Sequence, residues 1–135
     1  METVLVPVRY PLTRHSRNTL DRAIEIAEDR KAELIVLHVN LYQNGDRITR
    51  IDLKRAVENE VGRLPHARYI VRRGFLVEEG ILEELADEKA DVVVIGHKQL
   101  GRWKRAMRRL RSDPNIANYL RERVDCEIVV ASDSR

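Results

Sequence analysis

The sequence lacks the features that would place the chain outside the cell or in a membrane. Its single cysteine, Cys126, cannot form an internal disulfide, which agrees with a reducing compartment. No apolar run approaches the ~20 residues that a membrane-spanning helix needs. The N-terminus begins with the strand-like run Val4–Val8 and shows neither the basic region nor the cleavage pattern of a secretory signal. We therefore expect a cytoplasmic protein without membrane insertion.

Repeats, low-complexity tracts and linker-like stretches are also missing, so nothing in the sequence divides the chain. A length of 135 residues fits one domain with one continuous core. We assign residues 1–135 to a single domain. Charged residues make up 35% of the sequence and apolar residues 43%, so the core must come from short apolar runs inside a charged shell.

Positive charge is concentrated in one stretch, although the formal net charge of the chain is only +3. Residues 98–111, called the basic segment below, contain no acidic residue and carry +7, so the rest of the chain sums to −4. If a partner recognises the positive charge of this protein, this segment is where its contact is expected. Its basic residues are Lys98, Arg102, Lys104, Arg105, Arg108, Arg109 and Arg111.

Short apolar runs alternate with helical periodicity along the chain, which is typical of βαβ units. The runs predict five strands, namely Thr3–Val8, Leu34–Val39, a short one at Tyr69–Val71, Val92–Ile95 and Cys126–Ala131. Helical spacing predicts four helices, which run from a Ser16 cap to about Arg30, from Leu53 to a stop at Pro65, from Val77 to Ala86, and from Ile116 to Val124. A long connection is predicted from His97 to about Asn115.

These elements predict an α/β fold with a single doubly wound domain. The expected five-stranded parallel sheet has the order 3-2-1-4-5, with helices on both faces. Ligands of such sheets bind beyond the carboxyl ends of the strands at the switch point, which here lies between strands 1 and 4. The candidate ligand-binding residues of this crevice are Pro7, Val8, Arg9, Val39, Gly96, His97, Gly101, Ser112 and Asn115.

The ordered set of segments resembles the universal stress protein family. Five segments carry the resemblance in the family's order, namely Val4–Val8, Ser16–Ala23, Ala32–Val39, Ala90–Gly96 and Cys126–Val130. Together they cover nearly the whole chain. The resemblance implies the fold described above, a role in the stress response and a homodimer.

The resemblance also carries an expectation about nucleotides. Family members that bind ATP or AMP have a glycine after strand 4, two residues, a second glycine, nine residues, and then Gly followed by Ser or Thr. Such glycines let backbone amides approach the phosphates. Here Gly96 matches the first position, but Gln99 occupies the second. The final pair falls on Arg109–Leu110, or on Pro114–Asn115 when counted back from strand 5, and Arg9 replaces the family's acidic residue after strand 1. We expect no cofactor and no tight ATP binding, with ATP or AMP as the alternative.

Two hypotheses about the basic segment stay open. In the first, phosphate binding has been lost, and the segment is a solvated face or a protein contact. In the second, Arg and Lys side chains hold a small phosphate-bearing ligand directly. Trp103 inside the segment could also stack on a base, but the helical spacing of Trp103, Met107 and Leu110 favours packing against the body. Nucleic acid is therefore the less favoured partner.

No constellation in the sequence indicates an enzyme or a metal site. The histidines His15, His38, His66 and His97 do not have metal-ligand spacing. Cys126 has no neighbouring base that would make it a nucleophile. We therefore expect no catalytic residues and no metal.

The leading hypothesis is a non-enzymatic stress-response module of the universal stress protein type that acts as a homodimer. Strand 5 would be an exposed edge unless another chain pairs with it, and in the family that strand commonly forms the dimer contact. The expected dimer edge consists of Glu127, Ile128, Val129, Val130 and Ala131. The alternatives are an adenine-nucleotide binder that uses Arg and Lys side chains, and a polyanion- or protein-docking module that uses the basic segment.

Overall fold

One parallel sheet with helices between its strands organises the chain. The computed structural model describes residues 1–112 and 126–131, with only the backbone of residues 110 and 111. The predicted sheet is confirmed, because the five strands are parallel and have the order β3-β2-β1-β4-β5. The predicted helix from Ile116 to Val124 lies outside the described residues. The elements are β1 (Thr3–Pro7), α1 (Arg14–Arg30), β2 (Glu33–Leu41), a 3₁₀ turn (Tyr42–Asn44), α2 (Arg50–Val61), β3 (Ala67–Gly74), α3 (Val77–Glu88), β4 (Val92–Gly96), α4 (His97–Arg111) and β5 (Glu127–Ala131).

The central strands are apolar at successive positions because helices cover both faces of the sheet. Val4 and Val6 of β1 point into a core formed with α1 and α2. Leu5, between them, points into a second core formed with α3 and α4. All three side chains are fully buried. The continuous apolar runs in the sequence therefore correspond to strands that are buried on two sides.

The first helix begins earlier than predicted. Thr13 is the N-cap, since its side chain accepts a hydrogen bond from the backbone N–H of Ser16. The prediction of Ser16 as the cap was wrong, because Ser16 lies in the first turn of α1 and is buried. Its hydroxyl instead accepts a hydrogen bond of 2.9 Å from the backbone N–H of Arg9. This contact ties the connection after β1 to the start of α1.

The second helix has strong signals at both ends. Thr49 and Asp52 form a reciprocal capping box at its start. The helix ends at Gly62, which has a φ of +84° that favours glycine. The prediction that Pro65 ends this helix was wrong, because the chain leaves the helix at the glycine three residues earlier.

The edge strand β3 is longer than the predicted strand Tyr69–Val71. It pairs with β2 along its whole length, from Ala67 to Gly74. Only a short strand could be predicted here, because arginines interrupt the apolar pattern of β3. Arg72 forms ion pairs with Glu83, Glu84 and Asp87 of α3 at 3.1, 2.7 and 3.0 Å. Acids of the neighbouring helix thus allow cationic side chains on a half-covered strand.

The predicted long connection after β4 was wrong, because its first fifteen residues form the helix α4. Trp103 and Ala106 are buried, and Leu100 and Met107 pack partly against the core beside α3. The interpretation of Trp103 as a packing residue is thereby confirmed. The basic segment is therefore a face of a helix and not a loop.

Two helical glycines provide a test of the packing. A Cβ at Gly80 of α3 would lie 2.8 Å from both γ-carbons of Val39, whereas a Cβ at Gly101 of α4 would meet nothing within 4 Å. Gly101→Ala should stabilise the fold by up to ~1 kcal/mol through helix propensity alone. Gly80→Ala should destabilise it by about 1 kcal/mol or more, because overpacking against a stiff β-branched side chain outweighs that gain. Urea unfolding of both variants measures the difference, and stabilisation by Gly80→Ala would contradict the packing of α3 on β2.

Candidate functional site

A cavity of about 640 Å³ opens beyond the carboxyl ends of β1, β2 and β4. This is the switch point of the sheet, since the chain crosses from one side of β1 to the other between β3 and β4. Ligand pockets for small molecules have volumes of about 300–1,000 Å³. The cavity is therefore large enough for a small molecule of nucleotide size.

The structure brings most of the predicted crevice residues together at this cavity. Its lining includes Pro7, Val8, Arg9, Val39, Gly96 and His97, together with Lys98 and Arg102 of the basic segment.

Two predicted crevice residues do not line the cavity. Gly101 faces open space on α4. Ser112 follows the far end of the helix, where its hydroxyl donates a hydrogen bond to the carbonyl oxygen of Arg109. Helix geometry places that end about 20 Å from the first turn. Another predicted crevice residue, Asn115, lies outside the described residues.

The remaining cations of the basic segment also lie away from the cavity. Lys104, Arg105, Arg108 and Arg109 are exposed on α4 but do not line it. The side chain of Arg111 lies outside the described part of the chain. The basic segment is therefore divided, with one turn at the cavity and the rest along the helix.

The floor of the cavity is a turn whose backbone groups already have partners. The Val8 N–H donates to the carbonyl oxygen of Leu37 at 2.8 Å. The Val8 carbonyl oxygen lies 3.1 Å from Nδ1 of His38, and since a carbonyl only accepts, this nitrogen carries the proton. The Arg9 N–H is bonded to Ser16. A ligand here therefore meets the Arg9 side chain and not its backbone amide.

Cationic side chains form one wall of the cavity. Arg9, Lys98 and Arg102 are exposed there, and no carboxylate of the described residues lies within 4.0 Å of their nitrogen atoms. Lys98 Nζ lies 3.5 Å from Nε2 of His15. The N-terminal ends of α1 and α4 border the same space and add the positive potential of their dipoles. The arrangement favours an anionic group, although Glu78 contributes one acid to the lining.

The environment of Gly96 gives this glycine a packing role. A Cβ at this position would lie 3.3 Å from the hydroxyl oxygen of Thr19, which is closer than ordinary contact. Thr19 is held in place because its hydroxyl donates to the carbonyl oxygen of His15 at 2.9 Å. Gly96 therefore lets the end of β4 approach α1. Gln99, at the second position of the motif, lies in the first turn of α4.

The opposite rim of the cavity contains residues that sequence analysis missed. Phe75 follows β3 and lines the cavity. Its ring centroid lies 4.8 Å from that of Tyr42, which follows β2 and is not itself a lining residue. Gln43 joins the two connections, because its side-chain amide donates to the Phe75 carbonyl oxygen at 3.0 Å. Phe75 is 70% exposed. A phenylalanine directly after Gly74 at a strand end was the available signal, since no apolar periodicity required it there.

Other kinds of site receive no support from the described residues. Across residues 1–112 and 126–131, no group of three or more His, Cys, Asp or Glu side chains is placed to hold a metal ion. In the same part of the chain, no helix combines the length and apolar character needed to cross a membrane.

The fold and the cavity together define an α/β protein with a ligand-sized space at the switch point of its sheet. The sequence belongs to the universal stress protein family, whose family model matches residues 1–132. No curated protein matches the sequence.

Three solved structures have the same fold. A universal stress protein solved in complex with cAMP is 21% identical with a TM-score of 0.64, and the match covers 98% of each chain. A family member from Burkholderia pseudomallei is 16% identical with a TM-score of 0.59, covering 96% of this chain and 94% of the other. Universal stress protein UspA from Lactobacillus plantarum is 16% identical with a TM-score of 0.57, covering 96% and 97%.

The half-buried histidine under the cavity floor provides a pH test. Burial lowers the pKa of His38, and the hydrogen bond to the Val8 carbonyl oxygen opposes that shift only in part. Because the folded pKa lies below the unfolded value of about 6.5, the neutral ring stabilises the fold above pH ~6.5. This contribution is lost as pH falls through the folded pKa, by up to ~1.4 kcal/mol for each unit of difference. Between pH 7.5 and 5.0, the unfolding free energy of the wild type should fall more steeply than that of His38→Gln, which has no ring to protonate. Parallel curves would contradict a lowered pKa of His38.

Proposed function

We propose that this protein is a non-enzymatic, cytoplasmic stress-response module that acts as a homodimer and does not bind ATP tightly. Membership of the universal stress protein family supports the stress-response class. The observation that carries the proposal is α4, which begins at His97 directly after β4. In the family members that bind ATP or AMP, a glycine-rich loop follows strand 4. In this protein the helix α4 occupies that position.

The helix limits the contacts that the backbone offers to a triphosphate. Only the first four N–H groups of a helix lack an intrahelical partner, so the amides from Gly101 onward are engaged within α4. The Arg9 N–H is engaged by Ser16. Apart from the first-turn amides of α4, phosphate groups in this cavity would therefore depend on side chains.

A second candidate function is the binding of a small phosphate-bearing ligand, such as an adenine nucleotide, through those side chains. The cationic wall of Arg9, Lys98 and Arg102 favours it, because charge-assisted hydrogen bonds to phosphate are strong. A structural neighbour that was solved with cAMP also supports it, since that ligand has a single phosphate group. A ligand with one phosphate needs fewer donors than ATP. AMP and cAMP are therefore better candidates than a triphosphate.

Calorimetry with ATP, AMP and cAMP tests both candidates. We expect ATP to bind with a dissociation constant weaker than ~1 μM, because few backbone amides reach the cavity. A micromolar or tighter constant for ATP would overturn the leading proposal. If any of the three ligands binds, Lys98→Gln with Arg102→Gln should weaken it at least tenfold, since both residues line the cavity. Arg105→Gln is the matched control, because it removes a cation of the same helix that does not line the cavity.

The proposed dimer depends on the outer edge of β5. In the part of the chain that the structure describes, β5 pairs only with β4, so its other edge has unpaired backbone groups. Ile128 is 44% exposed and Val130 is 36% exposed. Exposed apolar side chains on an unpaired edge strand favour association with a second strand. A two-fold symmetric contact would cover this edge in both chains.

Light scattering at tens of micromolar tests the dimer. We expect twice the mass of the 15.7 kDa chain. Ile128→Lys with Val130→Lys should give a monomer that stays folded, because these side chains are not buried within one chain. Ile51→Lys is the control, since Ile51 is 56% exposed on α2. A monomeric wild type, or a dimer that survives the double substitution, would exclude this interface.

A further inference from the structure

The outer face of α4 is a cationic surface supported by a buried apolar face. Trp103 is only 2% exposed, and Ala106 is also buried. Trp103 packs into the core formed with α3 and the sheet, and this contact holds the helix in place. Of the eight α4 residues that the structure describes as exposed, six are Lys or Arg.

The cations have a regular arrangement along the helix. Lys98, Arg102, Arg105 and Arg109 are spaced four, three and four residues apart, so they form one row on the helix surface. The row is about 16 Å long. Lys104 and Arg108 form a parallel pair beside it. A rigid double row of this kind fits a partner whose negative charges also repeat along a line.

Several cations elsewhere on the protein, unlike most of those on α4, have carboxylate partners within the fold. Arg17 pairs with Asp21 and Glu60, Arg68 with Glu33 and Glu88, and Arg72 with three acids of α3. Among the described residues, the α4 row has one such contact, Arg109 to Glu79 at 3.8 Å. The positive charge of α4 is thus largely not neutralised by the body.

The geometry disfavours a membrane as the partner. A basic helix that binds a lipid surface inserts its apolar side chains between the lipids. On α4 that apolar face is buried, and Trp103 packs it against the sheet. The outer face instead has several arginines, whose planar forks bind phosphate in a bidentate manner.

Exposed aromatic side chains are a second feature, and they favour single-stranded nucleic acid as the partner. Trp103 is buried and cannot stack on a base. Phe75, however, is exposed on the opposite rim of the same cavity that Lys98 and Arg102 line, and its ring contacts that of the exposed Tyr42. The guanidinium group of Arg73 lies 4.7 Å from the centre of the Tyr42 ring. Proteins that bind single-stranded nucleic acid combine a positive groove with aromatic side chains on which unpaired bases stack. This cavity joins both features.

We propose that the outer face of α4 and the Tyr42–Phe75 pair form a binding surface for single-stranded nucleic acid. Phosphates lie along the rows of α4, and one unpaired base stacks on Phe75 at the rim. This function goes beyond the proposed one and does not depend on a nucleotide in the cavity, because Lys104, Arg105 and Arg108 do not line it.

Fluorescence anisotropy with oligo(U) and oligo(dT) of about 15 nucleotides tests the proposal, since single-strand sites span up to ~16 nucleotides. We expect binding at ~50 mM salt that weakens steeply as salt rises. Lys104→Gln, Arg105→Gln and Arg108→Gln together should weaken binding at least tenfold. They should also reduce the slope of log K against log salt by about 2, because each phosphate contact on a single strand contributes ~0.7.

The matched control replaces three exposed cations elsewhere, Arg47→Gln, Lys54→Gln and Arg63→Gln, with the same change in net charge. Equal weakening by this control would overturn the proposal, because it would assign the binding to net charge alone. Absence of salt-dependent binding by the wild-type protein would overturn it as well. Thermal melts of both variants verify that each protein is folded at the assay temperature.

A separate substitution tests whether the aromatic pair stacks on a base. Phe75→Ala should weaken oligo(U) binding about tenfold, as expected for one stacked base, and leave the salt slope unchanged. Ile51→Ala is the control for loss of an exposed apolar side chain. Tighter binding to duplexes of the same length, or to phosphatidylserine vesicles, would overturn the single-strand assignment, as would an unchanged affinity of Phe75→Ala. The ratio of oligo(U) to oligo(dT) affinity then distinguishes RNA from DNA.

Discussion

Burial of β1 and β4 on both faces is the constraint on which the rest of the structure depends. Val4, Leu5 and Val6 of β1, like Val92 to Ile95 of β4, are inaccessible to solvent. Such strands need a helix layer on each side, and parallel strands need crossovers that supply those layers. The pairing of β1 with β4 also creates the switch point, because the connections after these two strands leave toward opposite faces. The cavity is thus a consequence of the way in which the core is covered.

The distribution of charge follows from the same two layers. On α3, acids face β3 and neutralise Arg72, and burial raises the pKa of Glu84 while Arg72 opposes the shift. On α4, next to α3, the inner face is apolar and the outer face is basic. Several acids of the body, among them Glu33 and Glu83, are used in internal ion pairs at the other edge of the sheet. Positive potential is consequently left at the cavity and along α4.

Much of the architecture could be predicted because its signals are local. The β-branched run Val92–Ile95 and the run Leu34–Val39 identify strands without any knowledge of their neighbours. The errors share a different cause. The predictions of a short β3 and of a loop at residues 97–111 treated Arg and Lys as signs of an irregular surface. In the structure, acids of α3 form ion pairs with Arg72 of β3, and one face of α4 packs against the core. The acids of α3 are distant in sequence from the arginine that they pair with, and so are most of the core residues that α4 packs against.

The sequence by itself determined the fold class, the strand order and the place of the crevice, because apolar periodicity and the handedness of crossovers leave few alternatives. It also located the positive charge. Only the tertiary structure decided that this charge lies on a helix face, that Gly96 serves close packing against Thr19, and that the Arg9 amide is engaged by Ser16. Only the fold brings Phe75, in ring contact with Tyr42, to the rim of the cavity that Arg102 lines. The physical reason is that these contacts join residues distant in sequence, and their geometry depends on how the strands are paired.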